Sequence, residues 1–221
     1  ELKNKRFVSK EDDMKGSYLG PQFSNQEIKD KLSNLGAKFH EFDENDIINK
    51  TAEDLNAGKA VGWFQGRMEF GPRALGNRSI LADPTKPNMK DIINKKIKRR
   101  ESFRPFAPVT LKEFQNEWFE SKFLSQYMSS LSIVKKDKQK IIPAITHVDG
   151  TARVQIVEKS TNFKLATLIE SFKKITNVPV LLNTSFNENE PIVMKPEEAL
   201  DCILRNDLDY LIISNFIIKK N

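Results

Sequence analysis

The chain has 221 residues, of which 38% are hydrophobic and 30% are charged, so a chain that is disordered over its whole length is excluded. No apolar run approaches the ~20 residues that a membrane-spanning helix needs, and the polar N-terminus lacks the apolar core of a signal peptide, so we expect a cytoplasmic protein with no membrane partner. The formal net charge of +6 is local, because residues 67–104 hold eleven Lys and Arg against four acids, and such a cluster favours a phosphate-bearing ligand or nucleic acid.

The first residues carry many charges and no periodic apolar pattern. We expect residues 1–17 to be a linker or a junction to a preceding domain that this sequence lacks, and residues 18–221 to form one domain. Ser24 and Glu27 have the spacing of a capping box, which predicts a helix over residues 25–35.

The rest of the chain alternates predicted strands with predicted helices. The predicted strands cover residues 60–64, 79–82, 106–110, 132–134, 152–157, 178–182 and 209–219. The further predicted helices cover residues 45–57, 88–98, 161–175 and 197–205. This mixture indicates a single domain of the α/β class.

The densest chemical signal is the segment GRMEFGPRALGNRSILADP, which follows a predicted strand. Its three arginines, Arg67, Arg73 and Arg78, alternate with glycines. Guanidinium groups bind phosphate oxygens through paired hydrogen bonds, and glycines let the backbone approach a ligand, so we predict an oxyanion site. The alternative is that these arginines only pair with Glu69 and Asp83.

A second basic segment covers the predicted helix at 88–98 and the residues after it. Its helical phase puts Met89, Ile92, Ile93 and Ile97 on one apolar stripe, and a continuing helix adds two cations to that stripe, Lys96 and Arg100. A cation on a buried face needs a partner, so either the helix ends near Ile97 or one cation faces a cleft that binds an anion.

Lys98 lies on the far side of the helix in this phase, although it approaches the cleft if the helix has already unwound. Arg104, stiffened by Pro105, is held at the start of a strand and suits ligand binding. The alternative is a surface arginine ahead of an edge strand.

Two later segments place polar groups at strand positions. Arg153 and Gln155 alternate with apolar residues and therefore share one face of a strand, where they can bind a phosphate and a base or carbamoyl group. Asn183 and Ser185 follow a buried strand, the position at which open α/β sheets bind ligands. A half-solvated edge strand and a simple polar turn are the alternatives.

The chain offers little to a metal or to disulfide chemistry. His40 and His147 are its two histidines, and they lack the spacing of a zinc or iron site. Cys202, the single cysteine, is predicted to be a core residue. We therefore predict no metal site built by this chain.

Five segments, YLGPQFS, GRMEFGPRALGNRSILADP, IKRRESFRPFAP, DGTARVQIV and LNTSFNENEPIV, resemble signatures of the O-carbamoyltransferase family that modifies antibiotics and nodulation signals, in the family's order. The resemblance covers residues 18–217 and is to the C-terminal domain of that family. It implies a YrdC-like fold, a twisted mixed sheet flanked by helices with a positively charged concave surface.

The resemblance also implies a function. The domain joins carbamoyl phosphate and ATP into carbamoyl-adenylate, with Mg²⁺ on the triphosphate. The absent preceding domain, which binds a metal through histidines, transfers the carbamoyl group to an acceptor hydroxyl, so this chain alone is not expected to complete the transfer. By motif position, the implied catalytic residues are Lys98, Arg104 and Ser185. The implied substrate-binding residues are Arg67, Arg73, Arg78, Arg100, Arg153 and Asn183.

Two other functions fit parts of the same pattern. The basic surface suits double-stranded RNA, but its cations are interleaved with Gly and Pro at tight turns, which favours a small anion over nucleic acid. A threonylcarbamoyl-adenylate synthase of tRNA modification would use threonine and bicarbonate. The long RMEFGPRALGNRS signature favours the carbamoyltransferase branch.

Overall fold

The computed structural model describes residues 14–120 and 125–220, which form a mixed α/β structure with one large sheet and one small sheet. Residues 1–13 of the predicted linker lie outside the described residues. Within the rest of that predicted segment, the carbonyl of Ser17 accepts a hydrogen bond from the N–H of Phe70, at 2.7 Å. In the described ranges, no helix is both long and apolar enough to cross a membrane.

Helices and strands are interspersed along the whole chain. In chain order, the helices are α1 (Asn25–Asn34), α2 (Glu44–Asn56), α3 (Met89–Ile92), α4 (Gln115–Trp118), α5 (Lys136–Gln139), α6 (Phe163–Thr176) and α7 (Pro196–Arg205). The strands are β1 (His40–Glu41), β2 (Val61–Phe64), β3 (Arg78–Ala82), β4 (Ala107–Leu111), β5 (Phe119–Glu120), β6 (Ser132–Val134), β7 (Thr151–Ala152), β8 (Gln155–Val157), β9 (Val180–Ser185), β10 (Tyr210–Ile213) and β11 (Phe216–Lys219).

The large sheet has the strand order β1-β11-β10-β2-β3-β9-β4-β8, and the small sheet has the order β5-β6-β7. The pairs β2–β10 and β4–β8 are parallel, and the other pairs of the large sheet are antiparallel. Helix α6 packs against β4 and β9, and α7 packs against β2 and β10. The expected mixed sheet flanked by helices is confirmed.

The strand directions bring the predicted polar segments to one edge of the large sheet. Strands β2 and β9 both run antiparallel to β3, so their carboxyl ends lie at the same edge, at which β3 and β4 begin. The arginine-rich loop between β2 and β3, the segment that leads into β4 and the residues at the end of β9 therefore meet there. Open α/β sheets bind ligands beyond the carboxyl ends of their strands, and the carboxyl ends of β2 and β9 lie at this edge.

Two predicted strands are wrong as single elements. Residues 209–219 form a hairpin of β10 and β11, with Ser214 in the turn at a φ of 50°. Residues 152–157 are divided between β7 of the small sheet and β8 of the large sheet, with Arg153 at the break. An alternating pattern indicates the strand conformation but does not reveal which sheet each half joins.

The predicted helix at 88–98 changes type in its middle. Helix α3 continues into a π-helical turn over Ile93–Ile97, in which the N–H of Lys98 donates to the carbonyl of Ile93, at 2.8 Å. The wider turn shifts the buried face of the helix by about one residue along the chain. Lys98 is therefore buried, with 1% of its surface exposed, whereas Lys96 is exposed to solvent. Lys96 therefore does not join the apolar stripe, because that stripe assumed a continuing helix with 3.6 residues per turn. The alternative in which the helix ends near Ile97 agrees with the structure.

A glycine in β2 permits close packing beneath the end of β9. A Cβ atom on Gly62 would lie 2.5 Å from Cζ of Phe186, and Phe186 is fully buried. Since Phe186 stands between Ser185 and Asn187, this packing helps to fix the position of both polar residues.

Substituting Gly62→Ala should lower the free energy of unfolding by about 1–3 kcal/mol, because the buried ring of Phe186 has no room to move. Urea denaturation of Gly62→Ala, Phe186→Leu and the double variant measures the coupling between the two positions. We expect the double variant to be more stable than the sum of the single effects predicts, and strict additivity would contradict the packing described.

Candidate functional site

Two adjoining cavities at this sheet edge form what we call the arginine cleft, defined by Arg73, Arg100, Arg104 and Arg153. One cavity has a volume of about 120 Å³ and is lined by Arg73, Arg100, Arg153, Asn183 and Ser185, among others. The other has a volume of about 260 Å³ and is lined by Arg100, Arg104, His147 and Arg153, among others. The cavities share Arg100 and Arg153, so they form one continuous site.

Most of the positive charge in the arginine cleft is not paired with a carboxylate of the protein. Burial lowers the pKa of Arg153 and nearby Arg73 lowers it further, while burial and Arg104 together lower the pKa of Arg100. Among the described residues, Arg104 alone of the four has an ion pair, with Glu101 at 2.9 Å, and the lining of neither cavity includes a carboxylate. A cluster of arginines in which three have no ion pair is typical of a site that binds an anion.

Arg100 is held in the cleft by neighbours from its own segment. Its Nε donates to Oδ1 of Asn94 at 2.7 Å, and its guanidinium lies 5.0 Å from the ring centre of Phe106. The Nδ2 of Asn94 donates in turn to the carbonyl of Arg104, at 2.9 Å. Asn94 is buried on the face that the π-helical turn presents, so this turn also orients the arginines that follow it.

Glu69 organises the arginine-rich loop instead of pairing with its arginines. Its Oε1 accepts hydrogen bonds from the backbone N–H groups of Leu75 (2.6 Å), Asn77 (2.7 Å) and Arg78 (3.2 Å). Asp83 contacts Lys86 and the N–H of Thr85. The alternative in which Arg67, Arg73 and Arg78 pair with these two carboxylates is therefore not seen within the described ranges.

Two of the predicted arginines lie outside the cleft. Arg78 is fully buried, donates to the carbonyls of Gln65 (2.5 Å) and Asn77 (2.9 Å), and stacks 3.5 Å from the ring centre of Phe64. Burial lowers the pKa of Arg78 to about 10. Arg67 is exposed, donates to the carbonyl of Gly20 at 3.0 Å and lines a separate cavity of about 520 Å³. Both arginines hold the base of the loop.

Lys98 lies behind the cleft wall and fixes Ser185. Its Nζ contacts the carbonyl of Ser185 at 2.5 Å, the carbonyl and Oδ1 of Asn187 at 2.7 Å each, and the hydroxyl of Ser185 at 3.3 Å. Burial lowers the pKa of Lys98 to about 7, and Arg100 contributes to the shift. Arg100 therefore lines the cavities, as its helical phase indicated, whereas Lys98, which motif position placed among the catalytic residues, positions the segment opposite.

Asn187, Gln155 and Glu69 also position the site. Gln155 was predicted to bind ligand beside Arg153 but lines neither cavity, and the sequence analysis assigned no site role to Asn187 or Glu69. The hydroxyl of Ser185 donates to Oδ1 of Asn187 at 2.7 Å, and Nδ2 of Asn183 donates to Oε1 of Gln155 at 2.7 Å. Glu69 is the third. Asn187 had a usable signal, because two polar residues separated by one position at a strand end point the same way. Glu69 had none, because its partners are backbone groups of a loop.

The predicted site residues thus fall into three groups. Those that line the cleft are Arg73, Arg100, Arg104, Arg153, Asn183 and Ser185. Lys98 supports the cleft from behind, and Arg67 and Arg78 support the loop between β2 and β3.

Comparison with known proteins finds a matching family model and relatives of similar sequence. Residues 52–220 match the family model described as carbamoyltransferase C-terminus. The chain is 43% identical to an uncharacterized Synechocystis protein, covering 99% of the chain and 39% of that protein, and 45% identical to the nodulation protein NolO of Bradyrhizobium diazoefficiens, covering 92% and 38%. The chain therefore spans about two-fifths of the length of these relatives.

One solved structure shows the same fold. Full-length HypF, in its phosphate- and nucleotide-bound form, is similar with a TM-score of 0.54 and 19% identity, over 77% of this chain and 25% of HypF. At this identity the similarity establishes the fold.

Substituting Glu69→Leu should lower the free energy of unfolding by about 3 kcal/mol or more, because three backbone N–H groups lose their acceptor in a buried place. Glu69→Gln keeps an amide oxygen for the same donors, so a loss of about 1 kcal/mol is expected. Urea denaturation of both variants measures the difference. Equal losses would show that Oε1 does not organise the loop.

The buried Lys98 predicts a dependence of stability on pH. In the unfolded chain the pKa of a lysine is about 10.4, above its value of about 7 in the folded protein, so the unfolded state binds more protons between these values and stability rises with pH there. Denaturation of the wild type and of Lys98→Met between about pH 7 and about pH 10 should show the wild type gaining stability relative to the variant. Lys96→Met is the matched control, because it removes one positive charge that is exposed. If the curves of unfolding free energy against pH are parallel for the wild type and Lys98→Met, the prediction is contradicted.

Proposed function

The chain belongs to the carbamoyltransferase C-terminus family, and from this premise we propose that the arginine cleft binds carbamoyl phosphate and ATP and joins them into carbamoyl-adenylate. The observation that carries the proposal is the cleft itself, in which four arginines surround two connected cavities whose linings contain no carboxylate. Phosphate oxygens supply the missing negative charge.

The cleft also offers acceptors that suit a carbamoyl amide. The hydroxyl hydrogen of Ser185 is donated to Asn187 and one lone pair of its Oγ accepts from Lys98, which leaves the other lone pair at the cavity wall. The Oδ1 atom of Asn183 is buried and has no hydrogen-bond partner within the described ranges. A ligand that carries both a phosphate and an N–H donor satisfies the arginines and these acceptors together, which a plain phosphate does not.

The proposed chemistry depends on position and charge. Carbamate, formed by hydrolysis of carbamoyl phosphate with release of phosphate, bonds through an oxygen to the α-phosphorus of ATP, and the bond from that phosphorus to pyrophosphate breaks. The arginines offset the negative charge that gathers on the phosphate oxygens. Lys98 keeps Ser185 and Asn187 in place, a positioning role. Because the cleft has no carboxylate, Mg²⁺ would be bound by the triphosphate oxygens.

Transfer to an acceptor hydroxyl is proposed to need a further domain. The relatives are about two and a half times as long as the part that this chain matches, so they contain chain that this sequence does not supply. We propose that a metal-binding transferase domain receives the carbamoyl-adenylate and carries out the transfer.

Isothermal titration with carbamoyl phosphate and with ATP·Mg²⁺ tests the proposal. Replacing Arg73, Arg153 or Ser185 with Ala should weaken the binding of carbamoyl phosphate. For the two arginines we expect the Kd to rise by about 10- to 100-fold, because a charge-assisted hydrogen bond contributes about 1.5–3 kcal/mol. Arg67→Ala is the matched control, because Arg67 is an arginine of the same loop that lies outside both cavities.

Unchanged binding in the Arg73 and Arg153 variants, or equal weakening by Arg67→Ala, would contradict the placement of the site in the cleft. Titration with long double-stranded RNA completes the design. Salt-dependent RNA binding by a wild type that binds neither small ligand would replace the enzyme proposal with the RNA-binding alternative.

A further inference from the structure

His147 lines the larger cavity of the arginine cleft, yet neither its sequence motif nor the proposed binding role assigns it a function. It shares that cavity with Arg100, Arg104 and Arg153. Its ring is half-buried, and its Nδ1 lies 3.1 Å from Oγ1 of Thr151. Within the described ranges, Nε2 has no hydrogen-bond partner, so this nitrogen is free to meet a ligand or water.

The hydrogen bonds around Thr151 fix the tautomer of His147. Oδ1 of Asp149 lies 2.7 Å from Oγ1 of Thr151, and an ionised carboxylate can only accept, so the single hydroxyl hydrogen of Thr151 is donated to Asp149. Oγ1 of Thr151 must then accept from His147, which places a hydrogen on Nδ1. In the neutral ring, Nε2 therefore carries the lone pair.

The surroundings keep His147 neutral near neutral pH. Burial is the main cause that lowers its pKa below the ordinary value, and Arg153 and Lys90 act in the same direction, while Asp149 opposes them. Arg100 and Arg104 of the same cavity are further positive groups. An unprotonated His147 therefore lines a cavity whose other polar side chains attract phosphate.

No other residue that lines the two cavities can serve as a base near neutral pH. Apart from His147, the described lining consists of arginines, Asn183, Thr184, Ser185 and apolar residues. Arginine stays protonated, and amides and hydroxyls do not titrate in this range. Release of carbamate from carbamoyl phosphate consumes water, and water is a poor nucleophile without a base.

We propose that His147 is the general base that activates the water which cleaves carbamoyl phosphate. The water oxygen bonds to the carbonyl carbon while its proton moves to Nε2, and the bond from that carbon to the bridging phosphate oxygen breaks with its electron pair leaving on phosphate. The proton then passes from Nε2 to the phosphate, and the second proton of the water leaves the carbamic acid for the phosphate, so carbamate and inorganic phosphate are formed without any further reactant. This inference rests on the proposed function.

Phosphate release from carbamoyl phosphate by the 221-residue chain, corrected for spontaneous decay, tests the inference. His147→Gln should lower the turnover rate by about 10²- to 10⁴-fold, the usual contribution of a general base, while the Kd for carbamoyl phosphate from titration stays within about threefold of wild type. His40→Gln is the matched control, since His40 is the other histidine and lies in β1 at the far edge of the large sheet. It should behave as wild type.

Two further readouts separate catalysis from a structural role. The wild-type rate should rise with pH as His147 loses its proton and then level off, and the His147→Gln rate should lack this step. Thr151→Val removes the acceptor for Nδ1–H and should give a smaller loss than His147→Gln, with binding retained.

Each contrary result identifies what fails. A wild type that does not bind carbamoyl phosphate overturns the proposed function and this inference together. A wild type that binds it but releases no phosphate overturns this inference alone. The same holds if His147→Gln releases phosphate as fast as wild type, or if it loses rate only in proportion to lost binding.

Discussion

The ammonium group of Lys98 is buried, and its need for oxygen acceptors is the constraint on which the site depends. Its contacts with Ser185 and Asn187 join the segment that follows α3 to the end of β9, two parts of the chain that are 87 residues apart or more. The π-helical turn allows Lys98 to reach the end of β9, because an unbroken α-helix would direct Lys98 away from β9. The same turn buries Asn94, which holds Arg100, so one irregular turn places both walls of the arginine cleft.

A second set of buried charges shapes the loop between β2 and β3 without belonging to the cleft. Glu69 collects three backbone N–H groups, and Arg78 donates to carbonyls at the base of the loop. Buried charges are costly unless they are hydrogen-bonded, and here the backbone supplies three donors to Oε1 of Glu69 and acceptors to the guanidinium of Arg78. The loop is therefore held rigid from within, and Arg73 at its surface is left free to face a ligand.

The arginine cleft contains many hydrogen-bond donors and a few hydrogen-bond acceptors. Four arginines without a lining carboxylate favour an anion, whereas Oγ of Ser185, Oδ1 of Asn183 and Nε2 of His147 can only accept from the ligand side. A site of uncompensated cations reduces the stability of the free protein, and such strain is typical of functional sites, where the ligand supplies the missing partner. The arrangement suits a phosphate that carries a neutral hydrogen-bonding group beside it.

The sequence by itself determined the class of the fold, most of its helices and strands and the identity of the polar segments, because apolar periodicity, caps and turn residues act over short stretches of chain. The order of the motifs in the sequence also identified six residues that the structure places in one cleft. Only the tertiary structure decided that Arg67 and Arg78 support a loop and that residues 152–157 divide between two sheets. It also decided that Lys98 points inward whereas Lys96 does not. Three residues, Glu69, Asn187 and His147, were assigned to the site by the structure alone. The physical reason is that each of these outcomes depends on a partner distant in the sequence or on a single π-helical turn, and neither leaves a periodic signal in the chain.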